Sequence, residues 1–300
     1  MTPLNGLAAA VADWRCLVVG GAGAVGGLFV DLLAGTGARV VRVDTAPGPD
    51  RITGDITAPD DALAAEVAAA DAVLLAVPEP VALAALEWVA AALSPGALLV
   101  DTLSVKSGYA AATADLRSDV ELLGLNPMFA PALGFAGRPV AAVAPRGGPR
   151  GAALLGLVEA AGARVVPVTA ERHDRLAAAS QALTHAAVLS FGAALAELGV
   201  TADELATIAP PPHATLLALL ARIAGGTPEV YWDVQAANPH AAAARTALAA
   251  GARAVDTAVA KGEDAFTDLL ADARAVLGSR LPEYGAHCAR LFDLPRPSGP

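Results

Sequence analysis

Lysine is almost missing: of the 20 basic residues only Lys106 and Lys261 are lysines. The bias reads as coding composition, and it singles out those two positions. Cysteine is nearly as scarce. Cys16 and Cys288 stand alone, with no CxxC and no metal-ligand spacing, so no metal centre is expected and a reducing cytoplasm suits them. Aromatic residues make up only 4% of the chain, so its cores have to be built from Leu, Val and Ala, which suits close-packed helices. Positive charge is in deficit. A formal charge of −10 argues against a nucleic-acid surface and predicts repulsion from anionic lipid, so neither partner is expected. No uncharged apolar run reaches the roughly 18 residues of a membrane span. The opening MTPLNGLAAAVADW has neither a basic start nor a long apolar core, so a cytoplasmic location is expected.

What is present is a regular alternation in the first half. RCLVVG (15–20), ARVVRVD (38–44), DAVLLAVP (71–78), ALLVDTLS (97–104), DVELLGLNP, RPVAAVAP and ARVVPVT (163–169) read as seven strands, most of them nearly continuous apolar runs. Helical stretches separate most of them, a pattern that implies a parallel sheet covered on both faces. After Thr169 the strands stop. Residues 171–199 read as one long helix without internal proline, apolar on more than one face, and hence covered by other helices or subunits. Further helices follow. Thr201 and Glu204 form a capping-box pattern, PPP at 210–212 breaks the chain before a new helix, and PRPSGP reads as a loose tail. The expected organisation is a dinucleotide-binding α/β domain over 1–169 and an all-helical domain over 170–300.

The first crossover carries a GxGxxG pattern, Gly21, Gly23 and Gly26, after a strand and at the start of a helix. In such a Rossmann-like unit Gly21 allows a tight turn and Gly23 lets the backbone approach a pyrophosphate. Gly26 lets helix and strand pack closely, and the first amides of the helix, at Ala24 and Val25, meet the phosphate charge. The second strand ends in Asp44, 18 residues past Gly26. An acid there accepts hydrogen bonds from the adenosine ribose hydroxyls and repels a 2′-phosphate, so NAD is the expected cofactor. Arg42 and Arg51 lie close enough in sequence to soften that preference. Val77 and Pro78, after the third of these strands, are expected beside the cofactor.

Three more stretches follow in order: DTLSVKSG (101–108), GLNPMFAP (124–131) and HDRLAAASQALTH (173–185). Together with VVGGAGAVGGLF they closely resemble the prephenate dehydrogenase family, and the likeness runs from about Arg15 to about Arg280, including YWDVQAAN. The resemblance implies a Rossmann domain, a helical dimerisation domain and a homodimer. It also implies an NAD-dependent oxidative decarboxylation: a cyclohexadienyl acid passes hydride to NAD⁺ from ring carbon 4, loses the opposite carboxylate as CO₂, and becomes aromatic. Ser104 and Asn126 then fall at catalytic positions, with Ser104 hydrogen-bonding near the 4-substituent and the nicotinamide. Gln181 and His185, four apart on one helical face, approach the substrate from the helical domain. Lys106 attracts the anionic substrate, orients its loop, or forms a buried ion pair. His173 and Asp174 read as fixing the domain junction; Tyr231, Trp232 and Asp233 read as helical core or dimer contact; and Met128 and Phe129 as packing.

The chain departs from the family pattern twice. Typical members read GLHPMFGP where this chain has GLNPMFAP, so a histidine that accepts the hydrogen bond of the 4-hydroxyl is replaced by Asn126. A carboxamide cannot take a proton at neutral pH. Loss of a general base slows an alcohol oxidation by roughly 10²–10⁴-fold. An amine at ring position 4, in its neutral form, needs no such base, because its lone pair expels hydride directly and its N–H suits an Asn carbonyl. The substrate expected on this reasoning is 4-amino-4-deoxyprephenate, giving 4-aminophenylpyruvate for natural-product (antibiotic) biosynthesis. The alternatives are prephenate or arogenate dehydrogenation with an altered pocket, and a catalytically silent NAD-binding sensor. Taken without its flanks, Asn-Pro also reads as a turn. The second departure is a missing arginine that binds a substrate carboxylate in bacterial relatives. Ala214 stands there, and His213 or Arg222 is the candidate replacement.

Overall fold

The computed structural model describes residues 4–293, so the sequence-predicted loose tail PRPSGP lies outside the described residues. Contacts divide the chain into two compact units, one ending at Leu176 and one starting at Ala177.

The first unit is built on apolar runs too short for helices and rich in Val and Leu. Strands β1 (Arg15–Val19), β2 (Arg39–Asp44), β3 (Ile52–Thr53), β4 (Ala72–Leu75), β5 (Leu98–Asp101), β6 (Glu121–Pro127), β7 (Pro139–Arg146) and β8 (Arg164–Pro167) form one sheet in the order β3-β2-β1-β4-β5-β6-β7-β8. Its helices are α1 (Leu4–Val11), α2 (Ala24–Ala34), α3 (Asp61–Ala68), α4 (Glu79–Ala92), α5 (Ser107–Ala112), α6 (Pro149–Ala160) and the start of α7 (Ala170–Ala177). Residues of opposite parity along the strands feed two cores. Cys16, Val18, Leu74, Leu98 and Leu123 meet Phe29, Leu33, Leu154 and Val158 of α2 and α6. Leu17, Val73, Leu75, Leu99 and Leu122 meet Leu63, Val67, Leu86 and Val89 of α3 and α4. The unbroken apolar character of the strands thus follows from burial on both faces.

The sheet differs from the all-parallel, seven-stranded reading in two places. The two-residue β3 was too short to carry a periodic signal. Strand β7 runs antiparallel to β6, because the segment 128–138 between them holds only a 3₁₀ turn at Pro131–Leu133 and two left-handed glycines, Gly134 and Gly137. A parallel return needs a crossover of about a dozen residues or more, usually a helix.

The second unit contains α8 (Leu183–Leu198), α9 (Ala202–Ala206), α10 (Pro211–Ala224), α11 (Pro228–Ala236), α12 (Ala241–Lys261), α13 (Glu263–Leu277) and α14 (Leu281–Phe292). The long helix read over 171–199 runs from Ala170 to Leu198 but widens into a π turn at Ala178–Ala182. Gly199, at φ +68°, ends it. By length and composition it is apolar enough to cross a membrane, which corrects the view that no stretch qualifies. Its α8 portion packs against α10 and α12. Thr201 and Glu204 form the reciprocal capping box that starts α9, and Pro210–Pro212 sit at the N-cap and first turn of α10, where prolines fit.

Candidate active site

The first cluster forms around the turn from β1 into α2. Gly20 and Gly21 both donate to the Val43 carbonyl, at 2.8 and 3.1 Å. The left-handed residue of this turn is Gly20, at φ +76°, where a Cβ would lie 2.2 Å from the Ala76 carbonyl oxygen. The tight turn assigned to Gly21 therefore belongs to its neighbour; Gly21 is instead tight against Val18 and Arg42. At Gly26 a Cβ would lie 2.1 Å from the Gly20 oxygen, so the helix packs on bare backbone there. Helix α2 is preceded by Gly23 as an N-cap without a side-chain hydrogen bond, and its first donor back to the turn is Gly27. The amides of Ala24, Val25 and Gly26 therefore have no intrahelical acceptor.

Asp44, at the end of β2, accepts from the backbone amides of Ala22 (3.0 Å) and Ala46 (3.1 Å). Those two bonds fix the carboxylate beside the glycine turn. Arg42 and Arg51 both pair with Asp50 (2.5 and 3.1 Å), so part of the positive charge that could welcome a 2′-phosphate is engaged. Val77 packs beside Gly20, and Pro78 is exposed at the N-cap of α4. The bare helix start, the space kept open by glycine and the placed acid fit a dinucleotide.

The second cluster lies where β5 and β6 end side by side, with Asp101 paired to Gly124 in register. Ser104 sits half-buried in the loop leaving β5, with no hydrogen-bond partner among the described residues. Lys106 is 1% exposed. Its ammonium is in an ion pair with Asp101 and donates to the Leu125 carbonyl at 3.0 Å. Burial pushes the Asp101 carboxyl up and the Lys106 ammonium down, against their mutual attraction. The substrate-binding assignment of Lys106 is therefore corrected: its charge is spent inside the fold, on the loop that carries Ser104.

Asn126 has one side-chain partner, His173, whose Nε2 is 3.0 Å from the amide nitrogen. The other ring nitrogen, Nδ1, is 2.7 Å from the Asp174 carboxylate. Asp174 also accepts from the backbone amides of Lys106 and Ser107, both at 2.8 Å. Burial pushes its carboxyl up, but the hydrogen bonds from His173, Ser107 and Lys106 outweigh it and leave it below the ordinary range. His173 was not among the sequence-predicted site residues. The HD dipeptide was visible, but no local pattern ties it to an asparagine 47 residues earlier.

The helical unit holds the remaining candidates. Gln181 lies in the π turn, and His185 in the first turn of α8. His185 stacks edge-on against Tyr231 at 4.9 Å, and Tyr231 in turn donates to the Arg222 carbonyl at 3.3 Å. Burial, reinforced by the Arg222 charge, holds the His185 imidazole below its ordinary value. His213 instead meets Phe191, at 5.4 Å. It lies nine residues before Arg222 on α10, or roughly 13 Å along the axis, so the structure does not bring those two together. Gln181 Oε1, His185 Nδ1 and His213 Nε2 are all buried without a hydrogen-bond partner among the described residues. Trp232, expected in the core or a dimer contact, is 69% exposed in the single chain.

Comparison with known proteins gives this arrangement a context. The family described as prephenate dehydrogenase, dimerization domain, matches residues 169–271. A 4-amino-4-deoxyprephenate dehydrogenase from Streptomyces pristinaespiralis is 52% identical over 284 residues, 93% of this chain and 96% of that protein. A probable arogenate/prephenate dehydrogenase from Methanocaldococcus jannaschii is 31% identical over 56% of this chain; the chain spans only 39% of that relative's length. Among solved structures, prephenate dehydrogenase from Aquifex aeolicus, crystallised with hydroxyphenyl propionate and NAD⁺, shares the fold with a TM-score of 0.68 at 18% identity, over 89% of this chain and 97% of that one. With its α/β nucleotide fold, its helical partner unit and a relative of this identity and coverage, the chain belongs to the prephenate dehydrogenase family.

Proposed function

We propose that this protein is an NAD-dependent dehydrogenase that oxidatively decarboxylates 4-amino-4-deoxyprephenate to 4-aminophenylpyruvate. The observation that carries the reading is Asn126: a carboxamide stands at the end of β6, buried, with its nitrogen engaged by His173. The 52% identity to a dehydrogenase named for the amino substrate supports it independently. A dinucleotide held by the glycine turn and Asp44 would supply its nicotinamide as the hydride acceptor. The C4–H bond of the substrate breaks with its electron pair leaving as hydride, and the nitrogen lone pair closes a C=N bond. The bond from the ring to the opposite carboxylate then breaks and CO₂ leaves. Its electrons return through the ring to nitrogen, which ends as a neutral aromatic amine. From the neutral amine no further proton has to be removed before hydride leaves, so a carboxamide that accepts an N–H bond is sufficient where an alcohol benefits from a base.

The remaining roles follow the same reading. Ser104 hydrogen-bonds near the 4-substituent. Gly23, Ala24, Val25, Gly26, Asp44 and Val77 hold the dinucleotide, which positions rather than activates the reacting carbon. Residues 170–300 act as the substrate and dimerisation part of a cytoplasmic homodimer, in which Arg222 is the cation and Gln181 and His185 are hydrogen-bonding groups for a dicarboxylate. The experiment is a paired assay of NADH formation with 4-amino-4-deoxyprephenate and with prephenate. A large preference for the amine is expected, and equal or reversed rates would reject the assignment. Asn126→His should raise prephenate turnover by about 100-fold, the lower end of a general-base contribution.

A further inference from the structure

We propose that the His173–Asp174 pair sets the polarity of the Asn126 carboxamide, so that its carbonyl oxygen and not its amino group is offered to the reacting nitrogen. The inference rests on the reading that Asn126 faces the substrate amine. Its starting point is Asp174, an ionised carboxylate and hence an acceptor only. One of its oxygens takes the Lys106 amide and His173 Nδ1; the other takes the Ser107 amide. Facing an acceptor, Nδ1 must carry a hydrogen. In the neutral ring Nε2 is then bare and can only accept. The Asn126 group 3.0 Å away is therefore its NH₂, and the oxygen is turned away from the network. Among the described residues no donor reaches that oxygen, and it is not one of the sealed, unpartnered polar atoms.

Burial makes the orientation binding. His173 is 2% exposed and Asn126 5%, so bulk water does not compete for the amide, and the inverted rotamer would place two acceptors face to face. Lys106 anchors both ends: its backbone amide holds Asp174, and its ammonium holds the carbonyl of Leu125, next to Asn126. The polarity matters for the chemistry. An outward NH₂ would donate to the lone pair of the substrate amine and withdraw the electrons that expel hydride. An outward carbonyl accepts an N–H and leaves the lone pair free. His173 is thus a positioning residue, acting on the substrate through Asn126.

Two measurements test this on the full-length protein. The first is the ¹⁵N-resolved ring spectrum at pH 7.5, with the His173 signals assigned by their loss in His173→Gln. A protonated Nδ1 and a bare Nε2 are expected. The opposite tautomer, or a doubly protonated ring, overturns the proposal. This readout needs no turnover, so it stays decisive if the substrate assignment itself fails in the paired assay. The second is a double-mutant cycle in kcat with the amino substrate. His173→Leu should lower kcat by about tenfold with the Kd for NAD unchanged, the size of one buried hydrogen bond. The same change in an Asn126→Ala background should alter kcat less than about twofold. His173→Gln, whose carbonyl can still accept from the Asn126 NH₂, should recover part of the loss. An equal loss in both backgrounds marks a purely structural role and overturns the proposal.

Discussion

An ammonium group shut away from water has to be matched in charge and in hydrogen bonds, and Lys106 is matched in both by Asp101 and the Leu125 carbonyl. Removing one partner of such a pair leaves an uncompensated buried charge. Lys106→Met should therefore destabilise the protein by about 3–5 kcal/mol in urea unfolding. Adding Asp101→Asn should recover most of that loss, because the charge disappears while an oxygen remains for the Leu103 amide. If the double variant is no more stable than Lys106→Met, the pair is not what holds this loop. Residue type and position made both lysine readings available in the sequence. What decided between them was depth, which no local pattern encodes: the pair lies against Gly124 of β6, where a Cβ would lie 2.7 Å from Asp101 Oδ2 and 3.3 Å from Lys106 Cδ. His173 shows the same limit from the other side. Its partner is distant in sequence, so only the folded chain reveals that the two form one hydrogen-bonded unit.

At the scale of elements, the β1–α2 crossover was legible because its constraint is local. A turn, a bare helix start and an acid at the next strand end all lie within about one βαβ unit. The reading still misplaced the left-handed glycine by one residue, since GxGxxG spacing does not say which peptide turns. Glycines inside α2 make opposite predictions. At Gly26 an added methyl would collide with the Gly20 backbone, which no side-chain adjustment can relieve. Gly26→Ala should therefore weaken NAD binding by about tenfold or more, as the helix start is pushed off the turn. Its neighbour Gly27 has nothing within 4 Å of the same methyl. Gly27→Ala should stabilise the fold by about 0.5–1 kcal/mol through helix propensity alone, with the Kd for NAD unchanged. Titration calorimetry and thermal unfolding on the two variants separate the effects. The features that escaped the sequence were those without a period: the two-residue β3, the antiparallel β7 set by a short connection, and the π turn, which keeps helical composition while changing the ladder.

The whole chain carries more apolar surface than its own core uses. Helices α12 and α13 bury little: Val255, Val259, Phe266, Leu270 and Val276 are all exposed, Val276 to 87%, and Leu281, Tyr284 and Leu291 of α14 add to them. Single exposed apolar residues need no explanation, but a run of them along successive helices marks an interface. The family match over 169–271, described as a dimerization domain, places α12 and most of α13 within such a region. The proposed homodimer would cover this surface with a second copy. Two folded chains that depend on each other gain stability with concentration, about 1.4 kcal/mol for each tenfold increase when unfolding and dissociation are one step. The Tm should therefore rise with protein concentration, and sedimentation should give twice the chain mass. Replacing Val259 and Val276 by Asp, at positions that contribute nothing to the core of a lone chain, should lower the Tm, remove its concentration dependence and yield a single-chain species. If the wild type sediments as a monomer with a Tm independent of concentration, the exposed helices must be stable by themselves and the homodimer is wrong.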